Sequence, residues 1–154
     1  MLSVNIASSQ SDQKESLYDV IIVGSGPAGM TAAIYTERSL LKTLILEKIG
    51  SGGQAALTDH IENFPGFPQG INGYELSQRM EEQAKNFGAT FEYADVQNIF
   101  KDENNIFHVL TESQEFLGKS VIITTGASPR KLGIPGEEKF IGRGISFCAT
   151  CDAS

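Results

Sequence analysis

Apolar residues first gather at Tyr18–Val23, a β-branched run without polar alternation, and this predicts a strand covered on both faces. A glycine cluster, Gly24-Ser25-Gly26-Pro27-Ala28-Gly29, follows at once. Over residues 28–38 the spacing changes to three and four, with Met30, Ala33, Ile34 and Glu37 on one side, so a helix begins where the glycines end. A second apolar run at 43–46, closed by Glu47, completes a βαβ unit of about 30 residues, the size of a crossover between parallel strands.

Residues 50–73 are rich in glycine and proline and show no clear period, which predicts a long functional loop with one helical turn near 55–59. Residues 74–87 predict an amphipathic helix, with Leu76, Met80, Ala84 and Phe87 on its apolar face and Gly88 as its stop. A third buried-type strand is expected at 90–93. Three short strands then follow at 96–100, 106–110 and 115–117, separated by polar turns, and they read as an antiparallel meander. The run at 121–125 returns to the buried type and is expected to rejoin the parallel sheet. The predicted architecture is a Rossmann-like, three-layer α/β domain with the meander packed over one face of a parallel sheet. Residues 127–147 read as a linker.

Composition narrows the partners. With 154 residues, 40% of them hydrophobic and 20% charged, the chain is composed as a globular protein with one core. The net charge of -7 and the lack of a Lys/Arg patch exclude nucleic acid and anionic membrane as partners. No apolar run approaches the ~20 residues of a membrane span. Residues 1–16, rich in Ser, Gln and Asn, have neither a basic start nor an apolar core, so they read as a flexible tail and the compartment as cytoplasmic.

Candidate chemistry sits in three places. In Gly24-x-Gly26-x-x-Gly29, between strand and helix, the first glycine permits a tight turn and the second lets backbone approach a pyrophosphate. The third lets helix and strand pack closely, and the free N–H groups of the helix start then hold phosphates. Glu47, about 20 residues on, is placed to accept both ribose hydroxyls of an adenosine and to repel a 2′-phosphate, so this site suits FAD or NAD rather than NADP. Cys148-Ala149-Thr150-Cys151 allows three readings. A zinc half-site lacks two further ligands, since the lone His60 and His108 have no partner at ligand spacing and read as structural, so no metal is expected. Two inert buried thiols are a second reading. The favoured one is a reversible redox pair, with Asp152 beside it to supply a proton to a leaving thiolate.

Taken in order, the Gly24 triplet, Glu47, Gly52-Gly53-Gln54, Glu62-Asn63-Phe64-Pro65-Gly66-Phe67, Thr124-Thr125-Gly126-Ala127 and Cys148-Ala149-Thr150-Cys151-Asp152 resemble low-molecular-weight thioredoxin reductase, a class II pyridine nucleotide-disulfide oxidoreductase. The resemblance covers nearly everything from Tyr18 onward. It implies that Gly24, Ser25, Gly26, Pro27, Ala28 and Glu47 hold the adenosine diphosphate half of FAD, with Val96 behind the adenine. Gly52, Gly53, Gln54, Thr58 and Asn63 would line the flavin side, and Gly126 would allow close approach. It also implies that Cys151 faces the flavin, that Cys148 exchanges with thioredoxin or a similar small redox protein, and that Asp152 is the acid. Electrons would come from NADPH, and the enzyme would be a homodimer.

Family members continue into a second, NADPH-binding dinucleotide domain, whereas this sequence holds one glycine fingerprint and has Ala153 where the family usually has glycine. The expected organisation is therefore a tail (1–16), the first part of an FAD-binding domain (17–126), a linker (127–147) and the start of the NADPH and redox-active domain (148–154). On this reading the stretch is the N-terminal part of such an enzyme and has no turnover alone. A stand-alone FAD-binding or interaction domain, or part of a relative such as the alkyl hydroperoxide reductase flavoprotein, are the alternatives.

Overall fold

The first two strands, β1 (Tyr18–Val23) and β2 (Thr43–Glu47), pair in parallel with Val20 opposite Thr43 and Val23 opposite Leu46. Between them runs α1 (Pro27–Arg38), the helix expected from the three-and-four spacing, with Met30 and Ala33 fully buried. The structure, a computed structural model, describes residues 17–141 and 143–147. The tail at 1–16 and the residues Cys148, Cys151 and Asp152 lie outside the described residues.

After β2 come a single helical turn, α2 (Gly53–Ala56), and then α3 (Gly73–Asn86). The turn starts at the glycines, two residues earlier than the sequence predicts. Asn72 caps α3 by accepting from the N–H groups of Tyr74 at 3.0 Å and Glu75 at 3.2 Å, which satisfies two of the helix's orphan donors. Leu76 and Ala84 are buried as expected. Phe87 is not: it stands past the last turn, exposed, with the Arg38 guanidinium 5.8 Å from its ring centre.

The remaining strands are β3 (Thr90–Tyr93), β4 (Val96–Lys101), β5 (Phe107–Thr111) and β6 (Glu115–Ile123), and the sheet order is β3-β2-β1-β6-β5-β4. Two expectations need correction. β3 is the sheet's edge rather than a buried strand, with only Phe91 packed inward and Tyr93 exposed. The third meander strand and the fourth parallel strand are one continuous strand, β6. It pairs antiparallel with β5 up to Gly118 and parallel with β1 from Gly118 onward. A Cβ on Gly118 would lie 2.9 Å from the Ile21 side chain, so glycine here spares the packed Ile21 a shift where β6 pairs with both neighbours.

Alternate residues of β1 and β2 point to opposite faces. Val20, Ile22 and Ile45 meet Ala33 of α1 and Ala84 of α3, whose small side chains let the helices lie close. Ile21, Leu44 and Leu46 meet Val109 of β5, with Val96 and Ile99 of β4 packed against them. Helices cover one face and the meander covers the other, so β1 and β2 need no polar alternation. This is the predicted three-layer Rossmann-like arrangement. The stretch read as a linker is not featureless, because it holds a turn of helix, α4 (Glu137–Phe140). Among the described residues no helix is long and apolar enough to cross a membrane, and no cluster of side chains could hold a metal ion.

Candidate functional site

Two of the three fingerprint glycines are steric necessities. Gly24 adopts φ +103°, and a Cβ there would lie 2.4 Å from the carbonyl oxygen of Thr124. On Gly29 a Cβ would lie 2.0 Å from the carbonyl oxygen of Gly24. The Thr124 hydroxyl locks this crossing by a shared hydrogen bond to the carbonyls of Gly24 at 2.8 Å and Val23 at 3.0 Å. Gly26 differs, since nothing lies within 4 Å of where its Cβ would be. It is the N-cap of α1 and offers no side-chain cap, and Pro27 occupies the first turn. The start of the helix therefore presents amides without intrahelical acceptors beside open space.

Glu47 ends β2 next to this turn. Its Oε2 accepts from the N–H and the hydroxyl of Ser25, both at 2.8 Å, and its Oε1 from the N–H of Ile49 at 3.0 Å and of Gly50 at 3.4 Å. Partial burial by itself pushes its pKa up, but the donors of Ile49, Ser25 and Gly50 together hold it below the ordinary value of 4.5. Glu47 is an ionised acceptor at neutral pH. At its side lies a cavity of about 210 Å³, lined by Val23, Gly24 and Leu46 on one side and by Ala94 and Val96 on the other. Lys48 and Asp95 form an ion pair of 2.7 Å there. A mostly apolar pocket of this size takes one planar ring system, and the remainder of a larger ligand would run out along the open flank of Gly26.

The second glycine loop abuts the first. Gly52 donates to the carbonyl of Ser25 at 2.8 Å, and at φ +111° it passes so close to α3 that a Cβ would lie 2.2 Å from the Ser77 hydroxyl. A Cβ on Gly53 would lie 3.7 Å from the Gly26 Cα. The structure thus gathers Gly24, Ser25, Gly26, Pro27, Glu47, Gly52, Gly53 and Val96 around one end of the sheet, with exposed Ala28 in the first turn of α1. Gln54 and Thr58 are exposed on and after α2, where the Thr58 carbonyl accepts from Gly73 at 2.9 Å. Asn63 is exposed in a separate loop, lining a shallow depression with Phe64 and Phe67 that shares no residue with the Glu47 cavity. Gly126, at φ +70°, has open space where a side chain would be.

Sequence reasoning missed Ser51, Ser77, Lys48, Asp95 and the locking role of Thr124. Their only signal is polarity at the two ends of packed elements, which is common along any surface. His60 is exposed, with Glu62 at 3.8 Å. His108 is held by two carboxylates, Glu115 at 2.5 Å and Asp102 at 3.5 Å, and stacks on Phe100 in the meander, away from the cavity.

Residues 18–154 match the pyridine nucleotide-disulphide oxidoreductase family. A thioredoxin reductase of Treponema pallidum is 49% identical over 138 residues, which are 90% of this chain and 45% of that protein. Among solved structures, thioredoxin reductase of Lactococcus lactis is 52% identical with a TM-score of 0.74, over 88% of this chain and 44% of that one. The Streptococcus pyogenes thioredoxin reductase superposes with a TM-score of 0.79 at 46% identity, over the same shares. The chain spans a little under half the length of the curated relatives it matches.

Proposed function

The chain belongs to the pyridine nucleotide-disulphide oxidoreductase family, and we propose that it carries the FAD-holding part and the redox-active cysteine pair of a thioredoxin-disulfide reductase. One conjunction supports this most: an ionised Glu47, an apolar cavity at its side, and the open flank of Gly26 at the uncapped start of α1.

That set fits an adenosine diphosphate group. Glu47 would accept from ribose hydroxyls, Val96 and Ala94 would back the ring, and the first amides of α1 would face the pyrophosphate. Gly52, Gly53, Gln54, Thr58, Asn63 and Gly126 would hold the rest of the cofactor. When bound, FAD supplies two-electron transfer between a nicotinamide and a disulfide. A 2′-phosphate beside Glu47 would meet a like charge, so NADPH, the proposed electron donor, needs a site of its own.

Cys148 and Cys151 would alternate between dithiol and disulfide, Cys151 beside the flavin and Cys148 exchanging with thioredoxin. Asp152 would protonate the leaving thiolate. The relatives' own names, thioredoxin reductase, support this choice of disulfide partner, and the proposed compartment is the cytoplasm. The test is thioredoxin reduction from NADPH by the FAD-loaded enzyme that contains this chain. Cys148→Ser should abolish it while FAD stays bound. A normal rate in that variant refutes the redox assignment.

A further inference from the structure

A carboxylate offers about four lone-pair positions. On Glu47 all four are taken from within the chain, by the amides of Ser25, Ile49 and Gly50 and by the Ser25 hydroxyl. Two ribose hydroxyls require two of those positions. The Gly50 amide, at 3.4 Å, is the weakest donor and gives up the first. Of the other three, the Ser25 hydroxyl alone can turn away without moving backbone. A second acceptor already waits for it, the Ser51 hydroxyl at 3.2 Å.

Ser51 is set up to accept. Burial raises the pKa of the Glu81 carboxylate on α3, but Lys85, paired with it, and the Ser51 hydroxyl hold it below the ordinary value, which draws the Ser51 proton toward Glu81. The Ser51 oxygen is the acceptor in its contact with the Ser25 hydroxyl. Ser25 is fully buried and has no water to turn to, so without Ser51 its hydroxyl would stay on Glu47 or stand unpaired, and an unpaired buried donor is costly.

We propose that Ser51 is a positioning residue for a nucleotide's ribose: it receives the Ser25 hydroxyl when the nucleotide binds, and so frees a lone pair of Glu47 for a ribose hydroxyl. This rests on the reading that Glu47 holds the ribose. The ligand-free and nucleotide-bound states then differ by the release of the Gly50 amide and one hydroxyl rotation, whose end point is the Ser51 oxygen.

The test uses the full 154-residue chain titrated with ADP and with 2′,3′-dideoxy-ADP, read by amide chemical shifts. Wild type should bind ADP at least tenfold more tightly than the dideoxy analogue. Ser51→Ala should weaken ADP about three- to tenfold, the range for one net hydrogen bond, and leave the dideoxy analogue unchanged within twofold. Ser51→Thr, which keeps the hydroxyl, should restore ADP binding. If Ser51→Ala weakens both ligands alike, Ser51 merely supports the loop and the proposal fails. Equal binding of ADP by Ser51→Ala and wild type also overturns it. If wild type does not distinguish the two ligands, or binds neither, the ribose reading of Glu47 falls and takes this inference with it.

Discussion

Two carboxylates in this molecule do the same local job in different settings. Glu47 gathers the amides of Ser25, Ile49 and Gly50 at the tip of the βαβ unit. Glu137, buried at the start of α4, gathers those of Leu132 at 2.7 Å and Gly133 at 2.8 Å. Burial raises the pKa of both acids, most at Glu47, yet backbone donors, chiefly the Leu132 amide at Glu137 and the Ile49 amide at Glu47, hold both below the ordinary 4.5. Around Glu47 lie a cavity, an open glycine and a hydroxyl donor with a second acceptor. Around Glu137 lie Leu132 and Ile134, 60% and 51% exposed, and the open Gly133, but among the described residues no hydroxyl donates to it. A loop-holding carboxylate is thus not a site by itself. What surrounds it makes it one.

Glycine substitutions separate the two regions most strongly. Gly29→Ala drives a Cβ into the Gly24 carbonyl, backbone against backbone, and should cost about 3 kcal/mol, the upper range for overpacking. Gly133→Ala meets no atom within 4 Å and carries only its φ of +73°, so about 1 kcal/mol is expected. Urea unfolding of both variants checks the contrast, and equal losses would break it.

Next in size is the effect on binding. Glu47→Ala should weaken FAD by about 1.5 to 3 kcal/mol, as for other hydrogen bonds to a charged group, and Glu137→Ala should leave it unchanged. Flavin fluorescence on titration reads both. If Glu137→Ala loosened FAD as much as Glu47→Ala, the distinction between the two acids would be lost.

How much of this could be read from the chain varies with how local the cause is. The βαβ unit was legible because uninterrupted β-branched runs, a glycine turn and a three-and-four spacing each act within a few residues. The continuity of β6 was not. Gly118-Lys119-Ser120 looks like a turn in sequence, and what favours glycine there is the side chain of Ile21 on another strand. β3 resembles a core strand, yet its place at the sheet edge depends on the strand order. At the site, the place of Glu47 was legible, whereas its saturation by Ser25, Ile49 and Gly50 depends on how the loop folds back. That the second loop, with Ser51, lies against α3, which carries Glu81, depends on Gly52.

The pH dependence should be smaller and of opposite sign at two places. Because the folded pKa of Glu47 is lowered, its contribution to stability is full above 4.5 and fades as pH falls through the folded value. Glu47→Gln should therefore flatten the acid side of a melting-temperature profile. His108 is raised above 6.5, first by Glu115, with burial opposing and Asp102 adding. Its contribution is full below 6.5 and is lost as pH rises through the folded value, so His108→Gln should flatten the neutral-to-alkaline side. A profile unaffected by either change would contradict the hydrogen bonding described for these groups.

The proposed nucleotide site lies at the tip of the βαβ unit, between Gly26, Glu47 and Val96. Amide chemical-shift mapping of the chain with ADP tests it most directly, on wild type and on Gly26→Ala. The substitution adds a methyl to empty space and should leave stability within about 0.5 kcal/mol of wild type. Shifts should concentrate at residues 24–29, 47–53 and 94–96, and Gly26→Ala should bind ADP at least tenfold more weakly. Shifts centred on residues 62–68 or 132–137, or undiminished binding by Gly26→Ala, would contradict it.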